Sequence, residues 1–268
     1  GPRVRPARHG GAAQRPRRAN RGRLWGPGAR AGIGPAARVA AAFPECPLPG
    51  RGYTILDTAY TPDDVELTLC ERGDELVIRA HNTDLMSNRM HGSEEAMAEL
   101  ARTARRGGRV LVGGLGLGYT LRAALEELPP EGTVTVCELM PAIVDWNRQR
   151  LGHLADYPLE DRRVELVVAD VADLLRETPE TWDSILLDVD NGPRSFTQRK
   201  NEDLYADRGL NICRMALRPN GIVAFWSAFE DREFERRMKR AGFSVEAHQV
   251  RARGVDRGPW HWIYVGSR

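Results

Sequence analysis

Apolar residues in this chain follow three different regimes. Residues 1–44 show no period at all. From 52 to 90 they come in short runs broken by turn residues: Tyr53–Tyr60, Val65–Arg72 and Glu75–Ala80. Such runs predict strands, and Arg72-Gly73-Asp74 predicts a hairpin turn between the last two. From about Ser93 the period becomes helical. Ala96, Leu100 and Ala101 share one helical face, Ser93 is the expected N-cap, and Glu94 and Glu95 suit the first turn.

Strand and helix patterns then alternate. The expected strands are Arg109–Val112, Thr133–Glu138, Val164–Val168, Ser184–Asp188 and Gly221–Trp226. The expected helices are Thr120–Glu127, Ala142–Leu151, Val171–Glu177, Asp203–Ala216 and Asp231–Ala241, with Pro141 opening the second of them. This alternation implies right-handed βαβ units in a parallel sheet covered on both faces. Ser244–Val250 and His261–Val265 have only the loop Arg251–Trp260 between them and should pair antiparallel. The expected fold class is α/β: a Rossmann-like parallel sheet with a C-terminal antiparallel hairpin, plus a small N-terminal β-rich segment. That layout resembles class I S-adenosylmethionine-dependent methyltransferases. The expected organisation is a disordered leader over 1–44, the β-rich segment over 52–90 and the Rossmann-like, cofactor-binding domain over 93–268.

Composition narrows the class. Of the 268 residues, 41% are hydrophobic and 28% charged, which is ordinary for a globular protein. No apolar run approaches the length of a membrane span. Cys46, Cys70, Cys137 and Cys213 show neither disulfide nor zinc spacing, so a reducing, cytoplasmic setting is expected. His81, His153, His248 and His261 show no metal spacing either, and no metal is expected. The net charge of +2 conceals a split: residues 1–44 carry ten arginines and no acid, which leaves 29 basic against 37 acidic residues in the body. An acidic body argues against a nucleic-acid binder. Thirty-five of the first 44 residues are Gly, Ala, Pro or Arg, too few apolar groups to bury. A disordered leader is expected there, with a basic arm or a transit-like peptide as the functional readings.

The main chemical signal is Gly113-Gly114-Leu115-Gly116-Leu117-Gly118, entered from Val110-Leu111-Val112 and followed by a helix pattern. Glycines let a ligand lie on the backbone, and a helix start aims free N–H groups at it. A dinucleotide site wants G-x-G-x-x-G/A. Counted from Gly114 the last small position is Tyr119, which disfavours NAD and favours an adenosyl sulfonium without a pyrophosphate. Glu138 ends the second strand, where it can accept from ribose hydroxyls. Asp170, followed by Val171, ends the third, where it can accept from the adenine amino group. The candidate cofactor residues are therefore Gly114, Gly116, Gly118, Glu138, Asp170 and Val171. Each acid taken alone reads equally well as a helix cap or a solvated loop acid.

The fourth strand ends in Leu187-Asp188-Val189-Asp190-Asn191-Gly192-Pro193. Asp188 should emerge beside the sulfonium as the catalytic carboxylate that orients or deprotonates a nucleophile. An amine with a pKa of about 10 attacks only when neutral. Asp190 and Asn191 are candidate substrate contacts, although Asp, Asn, Gly and Pro also favour turns.

Several of these residues carry a family resemblance: the β-rich N-terminal segment, Ser93-Glu94-Glu95, the glycine loop, Glu138, Asp170, Asp188…Gly192-Pro193, Leu204-Tyr205 and Ala216-Leu217-Arg218-Pro219-Asn220-Gly221-Ile222. In this order they resemble the spermidine synthase (aminopropyltransferase) family over about residues 52–268. The resemblance implies that Glu138 binds ribose, Asp170 lies near adenine and Asp188 is the catalytic base. It also implies that the β-rich segment mediates a homodimer. The sequence departs from the family at Leu117, where the family's G-G-G-D-G loop has an acid that holds the aminopropyl end of decarboxylated S-adenosylmethionine. It departs again at Asp188-Val189-Asp190-Asn191-Gly192-Pro193 against D-S-S-D-P, and near Met97, where a tyrosine is usual. A leucine cannot compensate an ammonium group. The expectation is therefore S-adenosylmethionine and methyl transfer to a small, amine-bearing acceptor. The alternatives are aminopropyl transfer from decarboxylated S-adenosylmethionine and a non-catalytic nucleotide-binding protein. Met86–Gly92 reads as either a lid, with His91 or Arg89 touching substrate, or a plain linker. Trp226 reads as a core aromatic or a wall of the substrate pocket.

Overall fold

The computed structural model describes residues 52–81, 83–101, 108–189, 204–254 and 257–268. The leader, Asp190 and Asn191 lie outside them. The first sheet is antiparallel: β1 (Thr54–Tyr60), β2 (Glu66–Arg72), β3 (Glu75–Ala80) and β4 (Thr83–Ser87), in that order. The turn at Gly73 takes φ +63°, a conformation that favours glycine. β4 is a further strand of the expected β-rich segment, and its last two residues, Met86 and Ser87, belong to the stretch read from sequence as lid or linker. Five residues are too short for a convincing alternation, and pairing with β3 (Val77 with Ser87, Ile78 with Met86) supplies what local pattern lacks.

α1 (Gly92–Leu100) links this sheet to the second. The second sheet contains β5 (Arg109–Gly113), β6 (Thr133–Glu138), β7 (Val164–Val168), β8 (Trp182–Leu187), β9 (Leu217–Ser227), β10 (Ser244–Arg251) and β11 (Trp260–Ser267). Its helices are α2 (Tyr119–Glu127), α3 (Pro141–Trp146), α4 (Val171–Glu177), α5 (Asp207–Ala216) and α6 (Arg232–Arg240). Its order is β10-β11-β9-β8-β5-β6-β7. The five strands from β7 to β9 run parallel, and β11 pairs antiparallel with both β9 and β10. The predicted parallel sheet closed by an antiparallel hairpin is what forms.

Side-chain alternation explains the layering. Val110 and Val112 of β5 enter one apolar core, and Leu111 enters the other on the opposite face. All three are fully buried, each stabilising by roughly 1.5–3 kcal/mol. The first core also takes Leu67, Leu69 and Ile78 from the antiparallel sheet, together with Met97 of α1. Register then sets the functional edge. Gly113 pairs with Cys137 and with Leu187, and Glu138 pairs with Val168. The residues that follow these positions therefore leave the sheet side by side at its carboxyl edge.

Three local expectations are corrected. Ser93 does not cap α1: the cap position is His91, without a side-chain cap bond, and Ser93 is fully buried in the first turn. The buried face of α1 is Ser93, Met97 and Ala98, continued by Ala101 as expected, while Ala96 and Leu100 are only partly buried, because the helix packs against both β9 and α2. The helix expected over Ala142–Leu151 is α only to Trp146 and then widens into a π turn over Asn147–Leu151. There Asn147 Nδ2 donates to Ile143 O at 2.9 Å and to Gly116 O at 2.8 Å, so the bulge points an amide at the glycine loop.

Candidate active site

The glycine loop is built by close approach. Gly114 has φ +92°, and a Cβ there would lie 2.3 Å from Asp188 O. Only a glycine lets the β5 and β8 strand ends approach this closely. Asp188 N donates to Gly113 O at 2.9 Å, which extends the ladder one step past β8. Gly116 has φ +51°, and Gly118 caps α2 at φ +89°.

Glu138 braces the loop. Its Oε2 accepts from Leu115 N at 2.8 Å and its Oε1 accepts from Met140 N at 2.8 Å. Both bonds are charge-assisted, and they fix the plane of a buried carboxylate. Asp170 caps α4, accepting from Ala172 N at 2.8 Å. It is at once a helix cap and a lining residue of the cleft.

These groups line one cleft at the carboxyl edge of the sheet. Gly114, Gly116, Glu138, Asp170, Val171 and Asp188 all face it, between the apolar side chains of Met140 and Ile143. Its roof comes from the antiparallel sheet, through Leu67, Ile78 and Met86. Two carboxylates at strand ends, a glycine cradle and apolar walls fit an adenosyl group. Gly118 lines no part of the cleft: it packs against Pro158 and Ala155 and shapes the start of α2.

A second compartment adjoins the first, sharing Leu85, Met86, Gly116 and Asp188. Asp188 thus stands on the common wall, where Thr120 Oγ1 donates to its Oδ2 at 2.9 Å. Leu115, Leu117, Tyr119 and Trp226 give the second compartment an apolar lining. Its other carboxylate is Glu94 of α1. Burial first, and the Asp188 charge second, push the Glu94 carboxyl well above the ordinary carboxylate range. Burial also pushes the Tyr119 hydroxyl and the Cys137 thiol up to about 12, so both stay neutral.

His91 is not brought to the cleft. Its ring stacks on Tyr119 at 4.1 Å and its Nδ1 lies 3.0 Å from Glu95 Oε1, so it braces the helix start. Trp226 is core and wall at once: buried, on the second compartment, with Nε1 donating to Ser93 Oγ at 3.0 Å. Asp190 and Asn191 lie outside the described residues. Sequence reasoning missed Thr120 and Asn147, named Met86 only as part of the candidate lid Met86–Gly92, and took Glu94 only as a complement to the helix dipole. The one signal for Glu94 was its place in Ser93-Glu94-Glu95. Among the described residues no three His, Cys, Asp or Glu side chains group as a metal site, and no helix is long and apolar enough to cross a membrane.

Residues 90–241 match the family model described as the spermine/spermidine synthase domain, which is more than half of the chain. The chain belongs to the spermine/spermidine synthase family. Among curated relatives it is 38% identical over 109 residues to a polyamine aminopropyltransferase of Synechococcus sp. (strain JA-2-3B'a(2-13)), covering 38% of this chain and 35% of that protein. It is 31% identical over 117 residues to one of Ruegeria sp. (strain TM1040), covering 43% of this chain and 38% of that protein. The chain therefore spans little more than a third of these relatives' length. The spermidine synthase of Thermotoga maritima has the same fold, at a TM-score of 0.63 and 18% identity over 79% of this chain and 72% of that one. A spermidine synthase solved with the transition-state analogue AdoDATO matches at a TM-score of 0.62 and 19% identity, with the same two coverages. These findings overturn the preference for a methyltransferase: the family and the curated relatives are named for aminopropyl transfer. Leu117 does line the second compartment, as the loop alignment implied. The error was to treat the absence of an acid at one position as its absence from the pocket.

Proposed function

We propose that this chain is an aminopropyltransferase, moving the aminopropyl group of decarboxylated S-adenosylmethionine to a primary amine of a small polyamine. The observation that carries this reading is the two-part cleft. A compartment lined by the glycine loop, Glu138 and Asp170 adjoins, across Asp188, an apolar one that holds a second carboxylate, Glu94. Among the described residues its wall carries two acids and no basic side chain, which suits a cation. The family match and the curated relatives support the same chemistry.

Glu138 takes the ribose hydroxyls, Asp170 faces the adenine edge, and Met140, Ile143 and Val171 enclose the base. When bound, the sulfonium supplies a carbon electrophile whose C–S bond breaks with its electron pair passing to sulfur. Asp188 accepts the proton lost by the amine nitrogen as the new N–C bond forms, with Thr120 holding its other side. Most of the acceleration comes from holding the two partners in line. The protonated Cys137 thiol leaves the amine as the nucleophile.

The test is to incubate the chain with decarboxylated S-adenosylmethionine and a set of diamines and assay 5′-methylthioadenosine and the extended polyamine. Both should form in equal amounts. Absence of turnover with every amine, or turnover of S-adenosylmethionine alone, would overturn the proposal.

A further inference from the structure

Leu117 leaves the glycine loop without a charge to meet an ammonium group, and Leu85, Met86, Leu115 and Trp226 add apolar walls beside the hydroxyls of Tyr119 and Thr120. An ammonium placed there must find a carboxylate to offset its lost hydration. Asp188 lies on the wall between the compartments, bound by Thr120. Among the described residues the other acid on this compartment is Glu94, carried by a different element, α1. The tail of an adenosyl sulfonium is tethered to the nucleoside, so it must continue past Gly116 and Asp188 into this compartment.

Behind Glu94 the structure is arranged to hold a charge. Ser93 Oγ donates to Glu94 Oε2 at 2.7 Å. The same oxygen takes the Trp226 Nε1 proton at 3.0 Å and lies 2.8 Å from His261 Nδ1. A hydroxyl has one proton to give and two lone pairs to fill. With Trp226 and a neutral His261 both donating, the single Ser93 proton goes to Glu94, and every partner of that fully buried hydroxyl is satisfied. Burial depresses His261 to about 4, which keeps the ring neutral. The Ser93 hydrogen bond favours an ionised Glu94, but burial and the Asp188 charge outweigh it and keep the carboxyl protonated until a cation arrives.

We infer that Glu94 is the carboxylate that recognises the terminal ammonium of the donor's aminopropyl chain, a specificity role moved from the glycine loop to α1, with Ser93 as its positioning residue. The inference rests on the aminopropyltransferase reading and names the group that selects the donor.

Calorimetry with two ligands tests it: decarboxylated S-adenosylmethionine, which has the ammonium, and 5′-methylthioadenosine, which lacks it. Wild type should prefer the first. Glu94→Gln, nearly isosteric, should weaken that ligand by about tenfold or more, the scale of one charged hydrogen bond, and leave 5′-methylthioadenosine within about twofold. The unchanged second ligand shows that the variant is folded. A wild type with preference that Glu94→Gln retains would overturn the role of Glu94 and leave the proposed function standing. An effect only on the KM of the acceptor amine would also overturn it, as would equal loss of both ligands. A wild type with no preference would overturn the proposed function itself.

Discussion

Ser93 Oγ and His261 Nδ1 lie 2.8 Å apart although 168 positions separate them in the chain. The contact fastens the first turn of α1 to β11 of the C-terminal hairpin, and Trp226 on β9 shares the same hydroxyl. An edge-to-face contact of 4.7 Å between the Trp226 and His261 rings closes the group. Helix, hairpin and central sheet therefore meet behind one wall of the second compartment. Ser93→Ala leaves the Trp226 N–H without its acceptor, which costs about 1–3 kcal/mol of stability. It should weaken decarboxylated S-adenosylmethionine more than 5′-methylthioadenosine in a direct titration, since Ser93 acts through Glu94.

In the ligand-free chain Glu94 and His261 act on stability in opposite directions over overlapping pH windows. Glu94 is raised from 4.5, so the folded form holds a proton that the unfolded form has lost. Stability then declines as pH climbs through the window above about 4.5. His261 is lowered from 6.5 to about 4, so stability declines as pH drops through that interval. The charged and titratable groups that act on Glu94 are Asp188 and Glu95. Tyr119 and Arg122 lie beside it, Arg122 paired with Glu95. Thermal melts across pH should show Glu94→Gln more stable than wild type in alkali, the gain vanishing below about pH 4.5. A gain that persists in acid would remove the assignment.

Asp188→Asn keeps the Thr120 contact and removes the proton acceptor. With donor and amine saturating, kcat should drop by roughly 10²–10⁴-fold. Donor affinity should hold within a few-fold by calorimetry. A variant with full turnover would show that the amine loses its proton elsewhere.

Glu138→Gln places an amide where two backbone N–H groups need acceptors. One of its two ends must face Leu115 N or Met140 N with a donor. Loss of one charged bond and a donor clash should weaken 5′-methylthioadenosine by about tenfold or more. Equilibrium binding reads the change directly.

Gly114→Ala has no small remedy. The new Cβ falls on a backbone oxygen, Asp188 O, and the residue is held at φ +92°. The loop and the β8 end must separate, with a cost of more than about 1–3 kcal/mol. Denaturant titration should show the loss, and nucleoside binding should disappear with it.

Much of the fold was legible because its signals are local. Val110-Leu111-Val112 is a buried strand wherever it is packed, and Gly114 must be glycine because its φ is positive. Glu138, Asp170 and Asp188 follow apolar runs, and in a parallel sheet the ends of such runs gather at one edge. Their meeting on one cleft could be foreseen from chain order alone.

The reaction could not be foreseen in that way. Leu117 argued against an ammonium site because the charge was sought at one position, whereas an electric field depends on distance in space. The second acid stands on α1, 94 positions before Asp188, and only the packing of α1 against the glycine-loop helix and β9 brings the two to one pocket. The same packing turns Ser93 from an expected cap into a buried relay, removes His91 from the cleft and sets Met86 in its roof. Periodicity tells which residues of a helix are alike. It does not tell which side of the helix meets a cavity, because that depends on partners far away in the chain.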